Sequence, residues 1–227
     1  MSTVKLIAAT EVSAPAMSEV GFEVDGTFSY ADTLAEFAGR NCYRSFHRPN
    51  PATRENQDYL KHILDVGHES VLEHASATFY IETSRSVLTE LERHRHLSFS
   101  VVSQRYVNAA EIPYHVPPAL RGHSAEDILL DIYDMAQDGY DSIVKILTDR
   151  GLPRKQAREA ARSVLPNAMD SPMVVTGNHR TWRHVIKMRH HEAADAEIRE
   201  LAGLLLTELR KIAPATYQDI PDTPYTY

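Results

Sequence analysis

The sequence of 227 residues contains one cysteine, Cys42, which excludes a disulfide within the chain and favours a reducing compartment. It has no apolar stretch that approaches the length of a membrane span, and residues 1–12 lack the features of a secretory signal. We therefore expect a cytoplasmic protein. Positive charge is not in excess either, since the sequence has 24 Lys and Arg residues and 31 Asp and Glu residues. A general nucleic-acid binder would need a basic face, so this balance argues against that class.

Local sequence patterns predict a mixed architecture in which the second half of the chain is helical. β-branched and aromatic residues predict strands at residues 4–10 and 75–82. Apolar spacing, caps and stop residues predict helices at residues 32–38, 59–66 (ended by Gly67), 83–92 and 124–150 (between Ser124 and Gly151). Three more helices are predicted after these: one that begins at Pro153, one that ends at Arg189 and a last one that ends at about Ile212. We predict an α+β fold with helices packed on a small, mostly antiparallel sheet. One domain would cover residues 1–213, and a proline-rich tail, residues 214–227, would lie at the periphery.

Residues 93–105, RHRHLSFSVVSQR, carry more hydrogen-bond donors than folding alone requires. Val87, Leu88 and Leu91 lie at helical spacing, so a helix with one buried face would end near Arg93. Arginine binds phosphate through two parallel hydrogen bonds, so the pattern predicts an anionic ligand. A purely structural alternative is that these side chains cap the last carbonyls of the helix.

The spacing of Arg93-His94-Arg95, seven residues and Ser103 resembles the signature of flavin-dependent thymidylate synthases. The resemblance extends to residues 67–74 (GHESVLEH), 162–166 (RSVLP) and 178–180 (NHR), and to Arg189, and it covers most of residues 35–200. It implies synthesis of dTMP from dUMP, with a methylene group from 5,10-methylenetetrahydrofolate and reducing equivalents from FADH2, which NADPH regenerates. It also implies a homotetramer whose active sites combine residues from several subunits.

The resemblance implies a role for each residue that matches the motifs. Arg189 would be the catalytic group, because its guanidinium would hydrogen-bond the uracil edge and favour the ionised ring. The implied cofactor-binding residues are Ser70, Glu73, Arg93, His94, Arg95, Val101, Asn178, His179, Arg180 and His184. The implied substrate-binding residues are Glu90, Arg93, Val101, Val102, Ser103, Gln104, Arg105, Arg162 and Arg189. In this interpretation Ser103 binds substrate and is not a nucleophile, and His68 contacts the folate or the flavin.

Two positions depart from the pattern of this family. Val101 stands where relatives often have Glu or Gln, so a contact there would come from the backbone. Ala193 replaces a histidine that is common in the family.

Two other chemistries at single sites compete with this interpretation. Cys42 is the one residue that could attack the uracil ring as a thiolate, but a small packed residue explains it equally well, and the flavin family needs no such thiolate. His68 and His74 evoke a zinc-protease helix, yet they lie six residues apart instead of one turn apart, so we expect no metal site.

Two further classes of protein stay open. An RNA-binding module would use Arg93, Arg95 and Arg105 with Phe99 and Tyr106 for stacking, and its affinity for RNA would fall with salt. A structural helical assembly protein would use the arginines in salt bridges between subunits. Neither of these two proteins would bind a flavin.

Overall fold

The structure is a computed structural model that describes residues 1–24, 26, 29–48 and 50–226. Within these ranges the chain forms four strands and eight α-helices. The strands are β1 (Thr3–Ala9), β2 (Ser76–Glu82), β3 (Ser98–Val101) and β4 (Met173–Asn178). The helices are α1 (Ala14–Glu19), α2 (Tyr30–Cys42), α3 (Asn56–Asp65), α4 (Arg85–Leu91), α5 (Ala125–Asp149), α6 (Arg154–Ala161), α7 (His179–Arg189) and α8 (Ala196–Ile212).

The four strands form one small antiparallel sheet in the order β1-β2-β4-β3. The predicted α+β class is therefore confirmed, as are the strands predicted at residues 4–10 and 75–82. Side chains of β2 alternate between buried and partly exposed, with Ala77, Phe79 and Ile81 facing the core. Strand β4 was not predicted, so the second half of the chain is not wholly helical.

The chain divides into two compact units. The first comprises Met1–Thr3, Ile81–Arg93 and Phe99–Val174, and the second comprises Val4–Tyr80, His94–Ser98 and Val175–Tyr227. The single domain that we predict over residues 1–213 stays a prediction.

The first unit is dominated by the long helix α5, which begins after Ser124 and ends before Gly151, as predicted. The positive φ of Gly151, 91°, explains the stop, because glycine adopts this conformation without steric cost. The core of this unit joins Tyr140 of α5 to Ala161 and Met169.

The second unit contains α2, α3, α7 and α8. Helix α2 begins at Tyr30, earlier than predicted, because the hydroxyl of Ser29 accepts a hydrogen bond from the Asp32 amide at 3.1 Å and so caps the helix. Trp182 of α7 packs edge-on against Phe79 of β2 and donates from Nε1 to the Ala77 carbonyl at 3.1 Å. These contacts fix α7 against one face of the sheet.

The C-terminal tail is not peripheral, which corrects our expectation. Thr216, Tyr217 and Ile220 are at most 2% exposed, and all three lie in the second unit. Tyr227, the last residue of the predicted tail, lies outside the described residues. None of the helices in the described part of the chain is long and apolar enough to cross a membrane.

Candidate active site

The second unit presents one group of the predicted residues around the start of α7. Strand β4 ends at Asn178, whose side-chain oxygen accepts a hydrogen bond from the Thr181 amide at 2.8 Å and caps the helix. Gly177, just before this point, is closely packed, since a Cβ atom at its position would lie 2.5 Å from Cδ2 of Leu97. The strand-to-helix switch therefore sets the direction of α7.

Glu73 and Arg180 form an ion pair at this switch. The guanidinium of Arg180 donates to the Glu73 carboxylate, and both side chains are about half exposed. Glu73 ends the short 3-10 helix Glu69–Glu73, which also carries the exposed Ser70. Three residues predicted to hold the cofactor are thus placed on two adjoining elements with polar groups open to solvent.

His94, His184 and Arg189 come together at the other end of α7. Nε of Arg189 donates to Nε2 of His94 at 3.1 Å, and the two histidine rings lie edge to face with centroids 5.5 Å apart. Burial is the main cause that lowers the pKa of His94 to about 4, and the charges of Arg189 and His184 add to it. The imidazole is therefore neutral at pH 7, which leaves Nε2 able to accept the hydrogen bond.

His179 has a different environment from the other predicted cofactor residues. Its side chain is 1% exposed, and Nδ1 lies 3.0 Å from the hydroxyl of the buried Tyr217. Burial lowers the pKa of His179 to about 4. The structure thus gives this imidazole a partner inside the unit, and its predicted contact with the cofactor stays a prediction.

The first unit holds eight of the predicted substrate-binding residues, whereas Arg95, which is exposed, lies in the second unit. Glu90 lies within α4, and Arg162 begins a 3-10 helix directly after α6. The others follow α4 or lie at the end of β3 and just after it: Arg93, Val101, Val102, Ser103, Gln104 and Arg105. The Val102 amide donates to the Pro172 carbonyl at 2.9 Å, and the Ser103 carbonyl accepts from the amides of Tyr106 and Val107 at 3.0 and 2.9 Å. These bonds form a turn over residues 103–107, directly after β3. The turn holds Ser103, Gln104 and Arg105 in a fixed local geometry.

The side chains of the substrate group differ in their exposure. Arg93 and Arg162 are exposed, and Arg105 is about half exposed with Glu159 at 3.8 Å. Gln104 is buried, and its amide nitrogen lies 3.5 Å from Sδ of Met169. The three arginines therefore offer their guanidinium groups to solvent, whereas the Gln104 side chain points into the core.

Arg183 was not predicted as a functional residue; it lies on α7 between the predicted residues and is fully buried. Its two terminal nitrogens each bind one oxygen of Asp219 at 2.7 Å, and Nη2 lies 3.6 Å from Glu69. The signal available in the sequence was its position next to Trp182 and three residues before Ile186, on the apolar face of the helix. An arginine on such a face needs an acidic partner.

The residues of the two alternative chemistries, Cys42, His68 and His74, all lie in the second unit. Cys42 is exposed at the end of α2, so it is not the packed residue we expected, and its thiol lies 3.4 Å from the Ala38 carbonyl. His68 and His74 flank the 3-10 helix Glu69–Glu73, and in the described ranges no three His, Cys, Asp or Glu side chains are grouped to hold a metal ion.

Comparison with known proteins identifies the family to which this site belongs. Residues 26–215 match the model of the thymidylate synthase complementing protein family. The chain belongs to this family. It is 66% identical over 241 residues to the probable flavin-dependent thymidylate synthase of Mycobacterium phage L5, which covers 98% of this chain and 99% of the phage protein.

Two further relatives are described as probable or plain flavin-dependent thymidylate synthases. The chain is 67% identical over 231 residues to the probable flavin-dependent thymidylate synthase of Mycobacterium phage D29, covering 99% of this chain and 98% of the relative. It is 46% identical over 225 residues to the flavin-dependent thymidylate synthase of Corynebacterium aurimucosum, covering 95% of this chain and 90% of the relative. The resemblance predicted from the motifs is confirmed, and the protein is an enzyme of the flavin-dependent thymidylate synthase type.

Proposed function

We propose that the enzyme converts dUMP to dTMP, with 5,10-methylenetetrahydrofolate as the one-carbon donor and FADH2, regenerated by NADPH, as the reductant. Tetrahydrofolate would be the second product. The observation that supports this best is the cluster of Arg189, His94 and His184. It joins the residue proposed to act on the uracil ring to two residues proposed to hold the flavin.

The proposed task of Arg189 is to hydrogen-bond the uracil edge and to stabilise negative charge as it develops on the ring. A guanidinium performs this task without titrating at physiological pH. The neutral His94 accepts from Nε of Arg189 and so restricts the orientation of the guanidinium plane. Because His94 carries no charge at pH 7, it does not add a second cation beside Arg189.

The residues proposed to hold FAD fit an anionic dinucleotide. Bound FAD would supply hydride transfer. Arg95 and Arg180 expose guanidinium groups that suit a pyrophosphate, and Ser70 and Glu73 add exposed polar groups. The other proposed cofactor contacts are Arg93, His94, Val101, Asn178, His179 and His184, with Val101 contributing through its backbone.

The residues proposed to hold dUMP fit a nucleotide phosphate in the same way. Arg93, Arg105 and Arg162 supply exposed guanidinium groups, and the turn after β3 supplies backbone amides of Ser103 and Gln104. The loose pairing of Arg105 with Glu159, at 3.8 Å, leaves its guanidinium able to exchange a carboxylate for a phosphate. Glu90, Val101, Val102 and Arg189 complete the proposed set.

We also infer a homotetramer with shared active sites, located in the cytoplasm, in which residues 1–213 act as one catalytic domain. Support for self-association comes from α5, where the large apolar side chains of Ile128, Ile132 and Met135 are at least half exposed. Light scattering on the purified protein tests the assembly, and a monomer at micromolar concentration would contradict it.

The test of the activity is formation of dTMP. The wild-type protein, incubated with dUMP, methylenetetrahydrofolate, NADPH and FAD, should yield dTMP measured by chromatography, and omission of any one of these should stop the reaction. Arg189→Ala should abolish dTMP formation while the flavin spectrum stays that of the bound form. Lys145→Ala, at an exposed cation on α5, serves as the matched control and should keep the wild-type rate. A full rate in the Arg189 variant would remove this residue from its proposed role.

A further inference from the structure

Residues 216–226 lie beyond the region matched by the family model, yet Thr216 and Asp219 among them contact the helix that carries the proposed site. We propose that the C-terminal segment, residues 214–226, is a positioning element that fixes α7 and its terminal residue Arg189. This inference rests on the proposed function, because it assigns the segment a task for the same reaction. The segment would act through Arg183 and His190, not by touching substrate.

The first contact of the segment is with the middle of α7. Asp219 binds Arg183 through two parallel hydrogen bonds of 2.7 Å, and the Thr216 carbonyl accepts a third from the same guanidinium. Burial raises the pKa of Asp219, but hydrogen bonds and charge from Arg183 outweigh it and hold the pKa below its usual value. The pair is therefore ionised at pH 7. A fully buried arginine with this many fixed partners cannot shift along or around the helix axis without losing them.

Arg183 also connects the segment to the proposed cofactor residues. It lies three residues after Arg180, and its Nη2 is 3.6 Å from Glu69, which in turn accepts from Lys187 at 3.0 Å. Glu69 begins the 3-10 helix that carries Ser70 and Glu73. Asp219 thus supports, through one guanidinium, both elements that present the Glu73–Arg180 pair.

The second contact is with the chain directly after Arg189. The Tyr225 amide donates to the His190 carbonyl at 2.9 Å, and the Glu192 amide donates to the Tyr225 carbonyl at 2.9 Å, which forms a parallel bridge. Nε2 of His190 lies 3.2 Å from the Asp222 carbonyl. The last turn of α7 is therefore attached to the segment by backbone hydrogen bonds that do not depend on side-chain identity.

The segment itself is anchored at its start by α2. The buried Asp32 carboxylate accepts from the amides of Ala215 and Thr216 at 2.9 and 3.0 Å and from the Thr216 hydroxyl at 2.6 Å. A segment tied to α2 at one end and to α7 at two further points can hold the helix in place. We expect that, without it, Arg189 would lose its fixed orientation toward His94.

The first experiment compares two substitutions in the full-length protein. Asp219→Ala removes both hydrogen bonds to Arg183, whereas Gln218→Ala removes neighbouring hydrogen bonds to the Gln57 and Ala215 carbonyls, which do not involve α7. At saturating dUMP and FAD, Asp219→Ala should lower kcat by about tenfold or more, and Gln218→Ala should stay within about twofold of wild type. Asp219→Asn, which keeps an acceptor oxygen, should recover part of the rate. If Asp219→Ala lowers only the melting temperature and keeps the wild-type kcat, the positioning role is refuted.

The second experiment removes the backbone bridge and stays informative if Asp219→Ala does not fold. A chain that ends at Pro224 lacks Tyr225, and a chain that ends at Thr226 keeps it. Hydrogen exchange at the Glu192 amide should accelerate in the first chain only, and kcat should fall in that chain only. Equal exchange and equal kcat in the two truncated chains would overturn the inference. Failure of the wild-type protein to form dTMP would instead refute the proposed function, since the exchange measurement does not depend on activity.

Discussion

Replacement of His179 by phenylalanine should change the pH dependence of stability in a predictable way. The imidazole is 1% exposed, and its Nδ1 lies 3.0 Å from the hydroxyl of Tyr217, which is itself fully buried. Phenylalanine keeps the ring but removes the hydrogen bond and leaves a buried hydroxyl without this partner. At pH 7 the variant should lose about 1–3 kcal/mol in the free energy of unfolding.

The effect of lower pH on wild-type stability follows from the pKa of His179, which burial lowers from 6.5 to about 4 in the folded protein. As the pH falls below 6.5, the unfolded chain takes up a proton that the folded chain does not, so the free energy of unfolding decreases. At pH 5 this decrease in the free energy of unfolding amounts to about 2 kcal/mol, and it approaches about 3 kcal/mol near pH 4. The phenylalanine variant has no such group at this position. The stability gap between wild type and variant should therefore narrow by about 2 kcal/mol from pH 7 to pH 5.

Urea unfolding at pH 7 and pH 5 measures the difference in the free energy of unfolding between wild type and His179→Phe. His62, an exposed histidine on α3, is replaced by phenylalanine as the control for loss of an imidazole from the chain. If the difference in the free energy of unfolding between wild type and His179→Phe is the same at both pH values, the folded imidazole takes up a proton as readily as the unfolded one. That result would refute the effect of burial on the pKa of His179.

Three other predictions concern residues of the second unit, which also contains His179. Gly177→Ala places a methyl group 2.5 Å from Cδ2 of the buried Leu97, so it should destabilise the protein by about 1–3 kcal/mol in thermal unfolding, and an unchanged melting temperature would contradict the packing argument. Glu73→Ala breaks a half-exposed ion pair, so it should cost less than about 1 kcal/mol in urea yet weaken FAD binding in a fluorescence titration; a large loss of stability would speak against a binding role. Arg189→Gln removes a charge that lowers the pKa of His94, so an NMR titration should find that pKa above 4 but still below 6.5, because burial is the larger cause; an unchanged pKa would exclude the contact.

Local patterns were sufficient for most elements of the fold. Helices α3, α5 and α8 were predicted because apolar spacing, caps and glycine stops act within a few residues. Strand β4 was missed although Met173, Val175 and Gly177 alternate inward, because the run is short and contains a glycine next to its last residue. Its position between β2 and β3 in the sheet depends on pairing with distant strands, which one sequence does not reveal.

The motifs identified residues of the candidate site but not which of them meet. Arg189 contacts His94 across 95 positions of sequence, and Asp32 contacts Thr216 across 184. No local signal reports such pairs, because side chains far apart in sequence are brought together only by the packing of the whole unit. The same limit explains why the tail was expected at the periphery. Its prolines suggested an irregular surface segment, whereas the side chains of Tyr217 and Ile220 are buried in the second unit.

Helix α7 shows how one short element separates ligand contacts from structural ones. Arg180 and His184 are four residues apart and share the exposed face, whereas His179, Arg183 and Ile186 share the buried one. Two arginines three positions apart thus carry the same charge with different consequences. Loss of the exposed guanidinium should weaken binding of an anionic ligand at nearly constant stability. Loss of the buried one should leave the Asp219 carboxylate without its main partner and destabilise the unit even when no ligand is present.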